Sequence, residues 1–239
     1  MHSIWYAVLF FSLIIYDTYK VLQNKKKGKF NAGKQLTHEE LNELPTPSYI
    51  DYKTDLYKDN SKIFHLTEQA VAATITGSKG CVRKCTFCDV ASFEPKFVFK
   101  DGERIAQEMI DIYERQGITH FMMSDSLING SMKAFRQMNT ALAKKLPRTI
   151  NYYGEYIARP KGQTTDEDYH LMAEAGCKHV IVGIESGSQT ILDIMEKKTT
   201  TQQVYEQIEW CTQLVVATTS EAFILGYTGE SRTRSRIHI

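Results

Sequence analysis

An excess of charge of either sign is missing from this chain. Its 29 Lys and Arg against 28 Asp and Glu leave a formal net charge of +1, which removes the electrostatic case for a nucleic acid or a strongly acidic partner. No secretory signal opens it: Met1 to Ser3 carry no Lys or Arg, and no small-residue cleavage site follows. Five cysteines is an odd number, and three of them stand close together, which does not read as a disulfide framework. Reduced thiols suit a reducing compartment, so a cytoplasmic location is expected. Low-complexity tracts and sequence repeats are missing too. So is an apolar run of spanning length. Ile4 to Tyr16 is nearly all apolar but holds 13 residues, against about 20 for a bilayer span. Asp17 ends the run, and Lys20, Lys25, Lys26, Lys27 and Lys29 follow. Were it a short anchor giving a weak N-terminal membrane association, those lysines would hold the remainder on the cytoplasmic side.

What is present is enough chain for one large domain with appendages. Hydrophobic residues at 42% and charged residues at 24% are ordinary for a globular protein. Residues 1–43 read as the apolar segment and a basic linker. Within them Thr37 to Glu40 fits a capping box before a short helix. Residues 44–68 read as a lead-in, extended where Pro45 and Pro47 disfavour helix in the residues before them. From residue 69 to 230 strand-like and helix-like stretches alternate at roughly 30-residue spacing, the size of a βα unit. Strands are expected over Val71–Thr76, Thr119–Ser124, Thr149–Ala158 and Lys178–Ile184, with a fifth within Val215–Gly226, placed at Glu221–Leu225. Helices are expected over Asp101–Gln116, Ser131–Leu146, Thr165–Ala175, Ser188–Lys197 and Thr200–Leu214, with Gly117 and Gly176 as C-terminal caps. Near-continuous apolar strands such as VIVGI point to a parallel sheet covered by helices. The fold class is therefore α/β, an open or closed (β/α) barrel. Residues 231–239 form a basic tail without periodicity.

The chemistry gathers at Gly80 to Asp89, read as GCVRKCTFCD. Cys81, Cys85 and Cys88 stand in a CxxxCxxC spacing. Thiolates suit iron–sulfur clusters and zinc alike. Structural zinc wants four closed ligands, and no fourth Cys or His lies nearby, the nearest being His65 and His120 with Cys177 far down the chain. Three thiolates on a four-iron cube would leave one iron open. Other polar groups collect after each expected strand: Ser124-Asp125-Ser126, Glu155 with Arg159, Glu185-Ser186-Gly187-Ser188, and Gly226 to Glu230. In βα barrels that end carries function. Each also has a plainer reading: Asp125 as a helix cap, Glu185 and Ser186 as a turn, Arg159 as an ion-pair partner, Lys197 and Lys198 as a solvated helix end, and Cys177 and Cys211 as buried small hydrophobes.

GCVRKCTFCDV, SDSLING, GIESGS and FILGYTGE, in that order, resemble the radical S-adenosylmethionine (radical SAM) superfamily, and within it the branch often fused to a cobalamin-binding domain. The resemblance implies a radical SAM-like partial barrel with parallel strands. It implies a [4Fe-4S] cluster on Cys81, Cys85 and Cys88, and S-adenosylmethionine at the open iron. It further implies that Asp125 meets the amino group of that cofactor, that Glu185 and Ser186 lie by its ribose and methionyl part, and that Phe87 and Gly226 lie by its adenine. The activity implied is reductive cleavage of S-adenosylmethionine to a 5′-deoxyadenosyl radical. The substrate is unknown and the electron donor is of the flavodoxin or ferredoxin kind. No cobalamin-binding domain precedes residue 40, which puts a cobalamin cofactor in doubt. After Glu230 the expected next helix and strand have no counterpart, so the sequence reads as a barrel truncated at its C-terminal end. A non-catalytic iron–sulfur or zinc module is the competing expectation.

Overall fold

A computed structural model of the chain describes residues 35–51, 71–145, 150–160, 162–214, 216–219 and 223–231. The apolar segment 4–16, the lysines that follow it, most of the 44–68 lead-in and nearly all of the basic tail lie outside these residues. The elements below belong to one unit, Leu36–Ile239. No helix among the described residues is long and apolar enough to cross a membrane.

Five strands form one parallel sheet in the order β1 (Ala72–Ile75), β4 (His120–Met123), β5 (Asn151–Tyr156), β6 (Cys177–Val182) and β7 (Ala217–Thr219). Every neighbouring pair is parallel. The helices between them are α3 (Gly102–Gln116), α4 (Met132–Lys145), α5 (Asp166–Glu174), α6 (Gln189–Ile194) and α7 (Thr201–Gln213). Three smaller elements accompany them. Helix α1 (His38–Asn42) starts on the capping box at Thr37. Strands β2 (Ser78–Lys79) and β3 (Val98–Phe99) pair antiparallel, and α2 (Val90–Phe93) is a single turn between them.

The strand alternation decides which face is packed. Ala73, Ile75, Phe121, Met123, Tyr152, Tyr156, Val180 and Val182 share one face and join one core with Met109 and Ile112 of α3, Phe135, Met138 and Leu142 of α4, Met172 of α5 and Cys211 of α7. Successive helices touch in order, α3 on α4, α4 on α5 and α5 on α7, so they form a layer that follows the strands. The other face carries Thr74, Met122, Tyr153, Glu155, His179 and Ile181, a more polar set of mixed burial. The β5–β6 register shifts by one residue between Tyr152 and Tyr153, which pair with Cys177 and His179.

The caps behave as the side chains require. Gly117 closes α3 with φ 67°, a left-handed conformation that costs glycine little. Thr165 and Asp168 form a capping box on α5. The Asp168 carboxylate also accepts two bonds from the Arg136 guanidinium, at 2.7 and 2.8 Å, which ties α5 to α4. Burial raises the Asp168 pKa, but the Arg136 and Thr165 bonds outweigh it and hold the carboxyl below its usual range.

One strand stands elsewhere than the sequence suggested. The fifth strand of the sheet lies within the expected Val215–Gly226 stretch but at Ala217–Thr219, ahead of Glu221–Leu225, because it is Ala217, Thr218 and Thr219 that fall in register with His179, Val180 and Ile181. The chain returns to that edge at Phe223, which bridges Glu185. The β2–β3 pair was not anticipated; two-residue strands carry no readable alternation.

Helices α3 and α4 leave no room for a side chain at Gly102. A Cβ there would stand 2.0 Å from the Ala134 carbonyl oxygen and 2.5 Å from the Met138 nitrogen, both backbone atoms. Gly102→Ala is expected to destabilise the fold by about 1–3 kcal/mol through overpacking. Urea unfolding of the two chains checks this, and an unchanged midpoint would contradict the close approach.

Candidate active site at the carboxyl edge of the sheet

Parallel pairing puts the carboxyl ends of β1, β4, β5, β6 and β7 on one edge, and the cysteine loop springs from the first of them. The β2–β3 ladder closes that loop at its base, Ser78 opposite Phe99 and Lys79 opposite Val98. Further contacts fix it. The Gly77 carbonyl accepts the Lys100 N–H at 2.7 Å, and the Gly80 N–H donates to the Glu94 carboxylate at 2.5 Å. Gly80 has φ 75°, and a Cβ there would stand 2.3 Å from the Lys96 carbonyl oxygen, so a side chain is excluded twice over. The tip is held from the far side of the site: the Thr86 N–H donates to the Met195 carbonyl at 3.0 Å and its hydroxyl bonds the Tyr227 hydroxyl.

The loop lines a cavity of about 290 Å³. Cys81, Cys85 and Cys88 line it together with Phe87, Ser126, Glu155, Glu185 and Lys197. The thiols share this cavity without converging on a point; among the described residues no group of three or more Cys, His, Asp or Glu forms a ready site for a single ion. Burial pushes the Cys81 and Cys85 thiols up, while the Lys197 ammonium pulls both down.

Glu185 and Lys197 form an ion pair within the cavity wall. The Lys197 Nζ donates to Glu185 Oε1 at 2.9 Å and stands 5.7 Å from the centre of the Phe87 ring, in range for a cation–π contact. The Lys197 side chain is only 12% exposed, so its reading as part of a solvated helix end is corrected; Lys198 is the exposed one. The local backbone accounts for the difference. Helix α6 ends at Met195, the Lys197 N–H reaches back to the Leu192 carbonyl at 3.0 Å, and Glu196 and Lys198 on either side take φ 52° and 56°. Glu185 itself has φ 66°. Left-handed backbone costs a residue with a Cβ about 1–2 kcal/mol, so this turn is held against its local preference, with Lys197 directed inward.

The remaining expected residues are divided. Phe87 and Glu185 line the cavity with the three cysteines; Asp125, Ser186 and Gly226 do not. Asp125 is 5% exposed, and its carboxylate accepts the Gly77 N–H at 2.9 Å, which ties the end of β4 to the root of the cysteine loop. The Ser186 hydroxyl accepts the Ser188 N–H at 3.1 Å. Gly226 takes φ 77°, with no atom near the position of a Cβ, and its N–H donates to the Glu230 carboxylate. Arg159 pairs with no carboxylate among its described bonds; its guanidinium donates to the carbonyls of Asn129 and Gly130. Cys177 and Cys211 are buried, as expected. Asn129 was not anticipated. Fully buried, it donates to the Ile157 carbonyl and accepts the Ile157 N–H, continuing the backbone pairing beyond the end of β5. An Asn three residues into the SDSLING stretch's apolar part was the only available sign of it.

Loops set at the carboxyl edge of a parallel βα sheet, with three thiols on one cavity, stand where βα folds carry their functional sites. The sequence matches the radical SAM superfamily over residues 75–234, well over half of the chain. The chain belongs to that superfamily. It is 24% identical over 220 residues to an uncharacterized methyltransferase of Pyrococcus horikoshii, covering 88% of this chain and 44% of that protein. It is 28% identical over 166 residues to cytidylyl-2-hydroxyethylphosphonate methyltransferase of Streptomyces wedmorensis, 66% of this chain and 29% of that one. Among solved structures, the cobalamin-dependent S-adenosylmethionine radical enzyme OxsB with aqua-cobalamin bound matches with a TM-score of 0.60 at 23% identity, over 79% of this chain and 27% of that one. The radical S-adenosylmethionine methyltransferase TsrM from Kitasatospora setae matches with a TM-score of 0.56 at 20% identity, over 70% and 30%. These structures share the fold. The chain spans less than half the length of the curated relatives named here.

Membership of the superfamily implies a [4Fe-4S] cluster and S-adenosylmethionine. The donor set fits. A cube offers separate irons, so thiolates that stand apart around one cavity suit it better than they suit a single ion, and three thiols leave one iron open.

Burial lifts the Asp125 carboxyl from the usual 3.8 to about 6, against the pull of the Gly77 N–H. The stability tied to its protonated form is complete below pH 3.8 and is lost as the pH rises through about 6. Asp125→Asn keeps an acceptor for Gly77 and removes the titration. The variant is expected to gain on the parent by up to about 3 kcal/mol between pH 4 and 7. Unfolding curves across that range check it; parallel pH profiles would contradict the burial argument.

Proposed function

We propose that this chain is the cluster-bearing part of a radical SAM enzyme, acting on a substrate still to be identified. The observation that carries the reading is the single cavity lined by Cys81, Cys85, Cys88, Phe87, Glu185 and Lys197 at the carboxyl edge of a parallel sheet. Cys81, Cys85 and Cys88 would hold the cluster. A cluster bound there would supply the electron for reductive cleavage of S-adenosylmethionine at its sulfonium.

The chain's own residues bind, orient and shield. Glu185 offers carboxylate oxygens to hydroxyl or ammonium groups of the cofactor. Phe87 closes one wall of the cavity, and the loop stapled at Thr86 keeps that wall in place. Asp125 contributes from beneath, where its bond to Gly77 fixes the root of the loop; contact with the cofactor's amino group requires its side chain to reach past Gly77. Ser186 and Gly226, expected beside the cofactor, lie outside the lining of this cavity, so their part in the proposal requires the cofactor to extend beyond it. The two named relatives are methyltransferases, another is an anaerobic magnesium-protoporphyrin IX monomethyl ester cyclase and another a ribosomal protein methylthiotransferase. Methyl transfer, methylthio transfer and ring formation therefore frame the search for the reaction. A one-electron donor of the flavodoxin or ferredoxin kind belongs to this proposal.

Anaerobic reconstitution with iron and sulfide, followed by electron paramagnetic resonance of the reduced protein, tests it. A [4Fe-4S]⁺ signal is expected that changes when S-adenosylmethionine is added and disappears in Cys85→Ala. Stoichiometric zinc without a cluster, or a cluster signal indifferent to S-adenosylmethionine, would overturn it.

A further inference from the structure

The cavity holds more charge than binding three thiolates requires. Lys197 reaches it from the end of α6, far along the chain from the cysteines, and is fixed there by three independent features. Its Nζ is bonded to Glu185 at 2.9 Å. It faces the Phe87 ring at 5.7 Å, one residue before Cys88. Its backbone is set by left-handed residues on both sides, Glu196 and Lys198. The ammonium thus cannot swing into solvent without breaking the first two.

We propose that Lys197 is a positioning residue that sets the reduction potential of the cluster on Cys81, Cys85 and Cys88, with Glu185 as the counter-ion that holds it in place. The inference rests on the cluster reading of the same cavity. Reduction adds one electron, drawn from an external one-electron donor, so the reduced cluster is more negative by one charge. A fixed ammonium at the cavity wall stabilises that state, and a fixed carboxylate destabilises it; net local charge is one of the determinants of such potentials. The two members of the pair are not equivalent in place: the Lys197 ammonium, besides its bond to Glu185, stands over the Phe87 ring, next in the chain to Cys88. Arg83 also lines the cavity, but it belongs to the cysteine loop itself.

The two side chains make opposite predictions, which separates a field effect from damage to packing. The test is a redox titration of the reconstituted full chain with dithionite, followed by electron paramagnetic resonance, in the parent and in Lys197→Met, Lys197→Arg and Glu185→Gln. Lys197→Met is expected to disfavour reduction about tenfold, a midpoint lower by about 59 mV for one electron. Lys197→Arg is expected to restore the parent midpoint, and Glu185→Gln to raise it. Equal midpoints in the parent and Lys197→Met, or shifts of the same sign in Lys197→Met and Glu185→Gln, would overturn the inference and leave the cluster reading intact. A parent chain that holds no cluster overturns both. Should Lys197→Met fail to load a cluster, the Glu185→Gln midpoint decides: a higher value upholds the role, and an unchanged or lower one ends it.

Discussion

Parallel pairing is the constraint from which the site follows. In a parallel sheet all the strands end on the same edge, and here the ends of β1, β4, β5 and β6 bring the cysteine loop, Ser126, Glu155 and Glu185 within reach of one cavity. The helix-facing side chains of those strands are almost wholly buried. A slip of one residue would therefore turn apolar groups outward and bury the polar ones. Register is thus fixed by the core, and the geometry of the site is inherited from it.

The strand ends are then tied to each other by polar groups that do no visible chemistry. Asp125 joins β4 to the root of the cysteine loop, Asn129 extends the pairing of β5, and Arg159 gathers the carbonyls of Asn129 and Gly130. Leaving the buried Asp125 or Asn129 without its partner costs about 1–3 kcal/mol, and the half-buried Arg159 braces Asn129. Of the polar groups, the Glu185–Lys197 pair is the most unusual element. A buried ion pair seldom adds net stability over apolar packing, and this one is flanked by left-handed backbone. Its place in the structure is better explained by the cavity it faces than by the fold it belongs to.

The sequence made the frame legible where local chemistry and tertiary structure agree. Capping boxes at Thr37 and Thr165, the C-terminal glycines Gly117 and Gly176, and the apolar stripe of α3 each set an element boundary near its observed position. The grouping of polar residues after the strands was equally readable, since it needs only their order. What escaped were features decided by distant partners. Ala217–Thr219 and Glu221–Leu225 both look like strands, and only pairing with β6 chooses between them. Lys197 belongs to a lysine pair at a helix end, where both side chains would ordinarily be solvated; the left-handed turn that sends one inward has no glycine to announce it. Asp125 reads as a ligand from its position after a strand, yet its carboxylate is engaged by the neighbouring loop.

The central claim is that three thiols at this edge hold a cube with one iron left open. Mössbauer spectroscopy of the protein reconstituted with ⁵⁷Fe, before and after adding S-adenosylmethionine, tests it most directly. The account predicts a [4Fe-4S] spectrum in which one iron of the four changes on addition while three keep their sulfur-ligated parameters. Four irons that remain equivalent with the cofactor present, or iron bound only as a two-iron cluster or a single ion, would contradict it.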